Sequence, residues 1–498
     1  MSVVGINTSI TFIGKVLEEG ATLLRVNEII VDQYAGGGGA SIGITDGLNR
    51  SVDIAINHSK SAIELHKVNH PHTDHYCESI FDVCPLEATK GRPVGLLWAS
   101  PDCKHHSRAA GNRPVDKNIR CLSWSVLKWA AMVPVRVIHM ENVEELRKWG
   151  PVEEFEQGKW RPIKEKEGET FQAFIDALTT GLNKSHPAWE EIRESLGPEF
   201  AHYDKLEKGL GYELEHEILK AHEYGAPTHR QRLFIVARND GFPICWPKPT
   251  HGNGLLPYKN TANIVDWSLP VKSIFNRKKP LVKKTMIRLA KGFQRFIVEH
   301  PDPFIVPDDQ SVSFIAETTE GKVQYKARTG GSISIDGQQK FDPLGNVISE
   351  NNEVLVVSHL VKFKGTNLGH VLDSPLHTIC TGNHMSECRT LLIKVNDDQR
   401  ANLLTKPMTC FTKNDQFGIV KIKGELYMLV DVGMRFLSPR ELFNAQGFKE
   451  NYIIDQDSKG NKFSQASQRE RCGNSVPPPL AKALVEANFS YCQSLNVA

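Results

Sequence analysis

The chain has 498 residues, of which 40% are hydrophobic and 24% are charged, and its formal net charge is +2. This composition is typical of a globular protein with two domains. A charge near zero neither requires nor excludes a nucleic-acid partner, because a basic cleft can be offset by acidic surface elsewhere. The ten cysteines include no CxxC pair, which argues against a zinc site and a secreted disulfide scaffold. No apolar run is long enough to span a membrane and no signal peptide is evident, so we expect no membrane association and a cytoplasmic location.

Strand-like apolar runs alternate with helical patterns over the first 240 residues. This alternation predicts a doubly wound α/β domain over residues 25–250, built on a mostly parallel sheet. A charged, helix-prone segment at 151–207 is interpreted as an insertion without assigned chemistry. In chain order, the predicted strands are NEIIVDQY, SVDIAIN, VGLLWAS, VRVIHMENV, YELEHEILKA and RLFIVARN, and the predicted helices are SKSAIELHKVNH, LSWSVLKWAAM and FQAFIDALTTGL.

The sequence pattern changes after Asn239. A stretch rich in Pro and Gly is followed by a basic segment, for which we predict a helix over 277–295, and then by a β-like region that continues to about 430. We therefore predict a second, mainly β domain over 265–432. The remaining segment, 433–490, is predicted to return to the first domain.

Three candidate motifs fall at the carboxyl ends of predicted strands, which is where ligands bind in open α/β sheets. The run SPDCKHHSRA places Cys103 after an apolar strand and before four basic side chains, a setting that favours the thiolate. The glycine turn DQYAGGGGAS, at 32–41, allows the backbone to approach a ligand closely. In the ENV motif at 141–143, burial would raise the pKa of Glu141 towards that of a useful proton donor.

Each motif taken alone also has a structural explanation. Cys103 could be a buried structural thiol, and the glycine turn could connect a strand to a helix without binding a ligand. Glu141 could be a helix N-terminal carboxylate capped by Asn142.

Six motifs in one order and spacing resemble the DNA cytosine-5 methyltransferase family over most of residues 27–250 and 435–486. DQYAGGGGAS is similar to the family's glycine-rich first motif, SPDC to its Pro-Cys nucleophile loop, ENV to its Glu-Asn-Val motif and THRQRLFIVA to its QxRxR motif. LSPRELFNAQGF and CGNSVPPPLAKAL are similar to its two C-terminal motifs. Their joint occurrence is far more specific than any single match.

The resemblance implies a Rossmann-like S-adenosylmethionine-dependent methyltransferase sheet with a second, mainly β target-recognition domain. It implies a monomeric enzyme that acts on double-stranded DNA in a bacterial or phage-infected cell. Cys103 would attack C6 of a flipped-out cytosine, Glu141 would stabilise the ring, and Arg230 and Arg232 would hold the ring carbonyl or the loop. No metal is implied. The implied cofactor-binding residues are Asp32, Tyr34, Ala35, Gly36, Gly37, Gly39, Asn57, His58, Ser79, Ser100, Asn474, Ser475 and Val476.

The sequence departs from the family pattern at several positions. Asn57 replaces the acidic residue that binds the cofactor ribose, so an S-adenosylmethionine derivative with an anionic alkyl group stays open as the donor. The other departures are Tyr34 for Phe, Ser79 for Asp, Asp102 for Pro and Thr228 for Gln.

Other functions compete with DNA methylation. An RNA cytosine-5 methyltransferase is the second candidate, because one RNA-modifying branch of the family carries a CFT tripeptide, present here at 410–412. A DNA-binding protein with a dead active site is disfavoured because Cys103, Glu141 and Arg232 are all present. A nicotinamide oxidoreductase would explain the fold alone.

Residues 265–432 are expected to select the target sequence. The basic segment 277–295 would contact phosphates, although a merely solubilising surface is an equal alternative. The loops at 377–384 and 413–416 would contact base edges.

Overall fold

A computed structural model of the chain describes residues 24–25, 27–102, 121–275, 277–318, 321–335, 353–395, 408, 410–412 and 418–489. The predicted nucleophile Cys103 and the predicted recognition loop 413–416 lie outside the described residues. The described chain divides into two compact units. The first holds the residues up to Tyr258, His377–Ile379 and those from Gln446 onward, and the second holds Lys259–Leu376 and Cys380–Ala445. No helix in the described ranges is long and apolar enough to cross a membrane.

The first unit is built on a seven-stranded sheet that confirms the predicted α/β class. Its strands follow the order β3-β2-β1-β4-β5-β9-β8, in which β1 to β5 are parallel and β9 runs antiparallel to both of its neighbours. Strands β6 and β7 form a separate hairpin. The strands described in this unit are β1 (Ile29–Gln33), β2 (Ile54–Ile56), β3 (Asp74–Tyr76), β4 (Val94–Ala99), β5 (Val135–Asn142), β6 (Val152–Glu156), β7 (Lys159–Pro162), β8 (Glu213–Lys220) and β9 (Gln231–Arg238).

Helices cover both faces of this sheet. Ile29 and Val31 of β1 lie in one core while Ile30 lies in another, because successive side chains of a strand point to opposite faces. The α-helices that the structure describes are, in chain order, α1 (Gly39–Leu48), α2 (Lys60–Asn69), α3 (Pro85–Thr89), α4 (Trp124–Met132), α5 (Glu169–Leu178), α6 (Ala188–Leu196), α7 (Tyr203–Lys208), α8 (Lys283–Phe293), α9 (Pro439–Ala445), α10 (Gln465–Asn474) and α11 (Pro478–Phe489). Helices α8 and α9 belong to the second unit.

The segment predicted as an insertion contributes to the core of the first unit. It supplies the hairpin β6–β7 and the helices α5 to α7. Phe174, Trp189 and Leu206 from these helices lie in the same core as Trp124 of α4. The segment therefore covers one face of the sheet.

The C-terminal helix α11 packs against α1 on the opposite face. Leu480, Leu484 and Phe489 share a core with Ile44 of α1. Their close approach depends on Gly43, where an added Cβ would lie 2.5 Å from the carbonyl oxygen of Pro478. The last described part of the chain thus returns to the first strand and helix.

The second unit is a mainly antiparallel sheet, as predicted for this part of the chain. Its order is β13-β12-β11-β10-β18-β16-β14-β15, with β17 paired to β18, and only β10 and β11 are parallel among these pairs. The strands described here are β10 (Val271–Ser273), β11 (Val312–Thr318), β12 (Gly321–Ala327), β13 (Ile333–Ile335), β14 (Val354–Lys362), β15 (Gly369–His370), β16 (Met385–Lys394), β17 (Ile419–Ile422) and β18 (Glu425–Phe436).

The basic helix is shorter than predicted at its start. Helix α8 begins at Lys283 rather than at Arg277 and continues into a π-helical turn over Gln294–Val298. Pro280 explains the late start, because its ring disfavours helical backbone at the preceding residue and it has no N–H to donate. Leu289 and Phe293 face the core of the unit, and the lysines of α8 are exposed.

Candidate active site

A cleft lies at the edge of the first sheet where β1, β2, β4 and β5 end and β9 begins. The predicted glycine turn follows β1, the SPD segment follows β4, and Glu141 lies near the end of β5. Helix α10 forms a further wall. The described lining residues are Tyr34, Gly36, Gly37, Asn57, His58, Ser59, Ser61, Ala62, Ser100, Pro101, Asp102, Glu141, Arg230, Arg232, Ser467, Glu470, Arg471, Gly473 and Asn474.

Two glycines of the turn are required by the C-terminal segment that packs against them. A Cβ on Gly37 would lie 2.3 Å from Ser475 Oγ, and a Cβ on Gly39 would lie 2.0 Å from the carbonyl oxygen of Val476. Both distances are too short for any other residue at these positions without displacement of the segment. Ser475 and Val476 are buried and are therefore placed to support the turn from behind.

Asp32 lies beneath the turn and is fully buried. Its Oδ2 accepts a hydrogen bond of 2.6 Å from Ser41 Oγ. His66 Nε2 lies 2.9 Å from the same Ser41 oxygen, and His66 Nδ1 lies 2.8 Å from His75 Nε2. Burial raises the pKa of Asp32 to about 7, and burial together with the neighbouring histidines holds the pKa of His66 well below its usual value. The network fixes the base of the turn.

Tyr34 links the glycine turn to the start of helix α4. It adopts a left-handed backbone conformation, with φ of 62°. Its hydroxyl donates to the carbonyl oxygen of Leu122 at 2.9 Å and lies 2.9 Å from Ser125 Oγ. Burial raises the pKa of this phenol. The hydroxyl, which the family's usual Phe lacks, thus ties the turn to the residues that follow the segment 103–120.

Glu141 forms the centre of a charged cluster. Its side chain is largely buried, and Oε1 lies 3.0 Å from Arg232 Nε and 3.8 Å from Arg230 Nη2. Arg230 also donates to the carbonyl oxygen of Gly473 at 2.9 Å. Glu141 and the two arginines, which were predicted from two separate motifs, are therefore adjacent in space.

Asn142 holds the segment that leads to Cys103. Its Nδ2 donates to the carbonyl oxygen of Pro101 at 3.2 Å, and its Oδ1 accepts from the backbone N–H of Val143 at 2.8 Å. Asp102, which precedes Cys103 in the sequence, lines the cleft together with Glu141. The ENV motif thus positions both an acidic side chain and the backbone of the SPD segment.

The structure separates the predicted cofactor residues into three groups. Tyr34, Gly36, Gly37, Asn57, His58, Ser100 and Asn474 line the cleft, whereas Asp32, Ala35, Gly39, Ser475 and Val476 are buried behind it. Ser79 is exposed on the loop after β3 and is not among the described lining residues.

Sequence reasoning identified Asn474 at the end of helix α10 but missed the other cleft-lining residues of this helix. Ser467, Glu470, Arg471 and Asn474 are spaced i, i+3, i+4 and i+7, and this spacing places them on one helical face. This helical face leads directly into the GNSV segment. The spacing of its residues was therefore the sequence signal that could have identified them.

Comparison with known proteins identifies the family of the chain. The family model for C-5 cytosine-specific DNA methylase matches residues 193–490, which is more than half of the chain. The chain belongs to this family. The methylase is 22% identical to the Type II methyltransferase M.AquIA of Picosynechococcus sp. over 228 residues, 45% of this chain and 77% of the relative.

Two further proteins show more distant or more partial similarity. The methylase is 27% identical to the Type II methyltransferase M.AgeI of Thalassovita gelatinovora over 230 residues, 45% of this chain and 42% of the relative. The solved structure of the methyltransferase EhMeth of Entamoeba histolytica aligns over 93% of this chain and 98% of its own, with 12% identity and a TM-score of 0.42.

The methylase family uses S-adenosylmethionine as the methyl donor, and the cleft residues fit this molecule. Asn57 and His58 after β2 offer polar groups for its hydroxyls, and the glycine turn lets the backbone approach it closely. Within the described ranges, no group of three or more His, Cys, Asp or Glu side chains is arranged to hold a metal ion.

Proposed function

We propose that this chain methylates C5 of cytosine in double-stranded DNA, with S-adenosylmethionine as the donor. The observation that carries the proposal is the position of Glu141. It lies against Arg232 at the sheet edge and lines the same cleft as Pro101 and Asp102, which lead to Cys103.

The chemistry requires activation of the ring, because C5 of cytosine is a weak nucleophile until a group adds at C6. The Cys103 thiolate forms a bond to C6 and places electron density on C5. Glu141 hydrogen-bonds N3 and the exocyclic amine and stabilises the charge that develops, while Arg230 and Arg232 orient Glu141 and the ring carbonyl. When bound, S-adenosylmethionine would supply the methyl group to C5, and the electron pair of its broken methyl–sulfur bond would leave with S-adenosylhomocysteine. A base then removes the C5 proton, the bond between sulfur and C6 breaks, and Cys103 leaves as the thiolate.

The target base must leave the duplex, since C6 is inaccessible inside stacked DNA. We assign catalysis to the first unit, which includes residues 25–250 and those from Gln446 onward, and target recognition to the second unit, which includes residues 265–376 and 380–445. Exposed lysines on α8 would contact phosphates, and the loops at 377–384 and 413–416 would contact bases. We propose that a monomer acts in the cytoplasm.

The tripeptide that suggested RNA has a structural explanation. Phe411 is 2% exposed and packs in the core of the second unit, with its ring 5.7 Å from that of Phe293. Such burial accounts for an aromatic residue at this position without an RNA substrate.

The experiment compares cells that express the chain with cells that express Cys103→Ser. Methylation-sensitive sequencing of DNA and mass spectrometry of nucleosides from DNA and RNA would be measured in both. We expect 5-methylcytosine at a defined DNA sequence with the parent chain only. Modification of RNA alone would overturn the assignment of DNA as the substrate. An added mass other than that of a methyl group would overturn the assignment of S-adenosylmethionine as the donor.

A further inference from the structure

Arg471 of α10 is the unusual cation of the cleft. It lines the cleft, and its side chain is 5% exposed. Among the described residues, none of its three guanidine nitrogens has a hydrogen-bond partner. An arginine offers five N–H donors, and a buried polar group without partners is rare in folded proteins.

Its neighbours compensate for little of this burial. The guanidinium lies over the ring of Phe463, with Cζ 4.3 Å from the ring centroid, which is a favourable cation–π contact. That contact uses the face of the group and leaves the N–H donors at its edge unpaired. Glu470, the next residue, is exposed and forms no ion pair with Arg471 among the described contacts. Burial lowers the pKa of Arg471, as expected for an uncompensated cation.

The other two arginines that line the described cleft are already engaged. Arg232 pairs with Glu141, and Arg230 donates to the carbonyl oxygen of Gly473. A desolvated charge is stabilised chiefly by a hydrogen-bonded partner of opposite charge. The guanidine N–H groups of Arg471 would therefore be stabilised by an anion that binds in the cleft.

The position of Arg471 indicates which anion. Its carbonyl oxygen would lie 3.1 Å from a Cβ on Gly37, so its backbone borders the glycine turn after β1. Glu141 lies on β5, and β4 separates the two strands in the sheet. Arg471 thus borders the side of the cleft predicted to hold the cofactor, while the target ring belongs beside Glu141.

We infer that Arg471 binds the α-carboxylate of S-adenosylmethionine and so selects donors with an intact methionine end. The inference rests on the donor assigned in the proposed function. A guanidinium and a carboxylate form paired, charge-assisted hydrogen bonds, and these are strong where water is excluded. Binding of S-adenosylmethionine would thereby give hydrogen-bond partners to the buried N–H groups of Arg471.

The test measures affinity for two ligands that differ in this group alone, S-adenosylmethionine and its decarboxylated analogue, by calorimetry without DNA. The full chain would be compared with Arg471→Gln and with the control Arg469→Gln, which changes a more exposed arginine of the same helix. We expect the parent and the control to bind S-adenosylmethionine roughly 10- to 100-fold more tightly than the analogue. In Arg471→Gln this preference should disappear, with affinity for the analogue unchanged.

A second measurement separates ligand binding from a structural role. Removal of an unpaired buried charge should leave the Tm of the ligand-free protein unchanged or raise it. A lower Tm, together with equal loss of affinity for both ligands, would overturn the inference. Unchanged donor preference with weaker DNA binding would also overturn it and would assign Arg471 to a phosphate. Since neither measurement requires turnover, a retained preference without methylation would contradict the proposed function alone.

Discussion

Replacement of Glu141 by Gln tests the role assigned to the charged cluster. Gln has nearly the same shape but breaks the ion pair in which Arg232 Nε lies 3.0 Å from Oε1, an oxygen that accepts no hydrogen bond from the described residues. It carries no negative charge and cannot donate a carboxyl proton to N3 of cytosine. General acid–base contributions amount to ~10²–10⁴-fold in rate, so we expect a loss of this size in the methyl-transfer step.

Glu141→Gln should lower the free energy of unfolding by less than complete removal of the side chain would. Breaking a fully buried ion pair costs ~3–5 kcal/mol, but Glu141 lines a cleft that admits water, and water weakens the pair. We therefore expect the free energy of unfolding to fall by ~1–3 kcal/mol, the typical cost of leaving a buried polar group without its partner.

The assay is single-turnover transfer of a labelled methyl group to DNA, with donor affinity measured separately by calorimetry. Glu144→Gln is the matched control, because Glu144 accepts a 3.1 Å hydrogen bond from Gln231 and does not line the described cleft. Glu141→Gln should slow transfer and leave donor affinity within a few-fold, and the control should leave both unchanged. A normal rate at saturating donor, with weakened donor binding, would refute the role assigned to Glu141.

Three further changes test other parts of the molecule. Tyr34→Phe removes a hydroxyl whose partners lie just before α4 and in its first turn, and should lower the free energy of unfolding in urea by ~1–3 kcal/mol; equal stability would show that the hydroxyl contributes nothing. Neutralising Lys284 and Lys291 on α8 should weaken binding to all DNA sequences alike and reduce the slope of log K against log salt by roughly two, whereas altered site preference would contradict a phosphate role. Burial lowers the pKa of His139 to about 3, so its stabilising contribution is present above pH 6.5 and is lost as pH falls towards 3. His139→Leu should therefore lose ~2 kcal/mol less stability than the parent between pH 7.5 and pH 5, and an identical pH dependence would show that His139 is not the titrating group.

Local pattern was sufficient to predict the main elements of the first sheet. Strand β4 and helix α4 were predicted from VGLLWAS and LSWSVLKWAAM. A short, continuous apolar run is typical of a buried strand, and a longer apolar segment with helical spacing is typical of a buried helix. The predicted start of α8 at Arg277 was wrong. The prediction gave the charged, helix-prone composition more weight than the local effect of Pro280, and the helix begins at Lys283.

Long-range contacts account for what the sequence could not predict at the site. The bond from Ser41 to Asp32 and the approach of His66 to Ser41 depend on how α1 and α2 pack beneath the turn. Likewise, Gly37 meets Ser475 only after the C-terminal segment returns to β1. The order of the motifs identified the residues of the site. Only the fold shows which of them line the cleft and which are buried behind it.

Trapping with 5-fluorocytosine tests most directly whether Cys103 bonds covalently to C6 of a cytosine in DNA. Duplex DNA with 5-fluorocytosine in place of cytosine would be incubated with the protein and S-adenosylmethionine, denatured, and analysed by peptide mapping. Because fluorine at C5 blocks the elimination that frees the thiolate, we predict a denaturation-resistant adduct at Cys103 and none with Cys103→Ser. An adduct at another residue, or its absence under conditions in which ordinary DNA is methylated, would contradict the account.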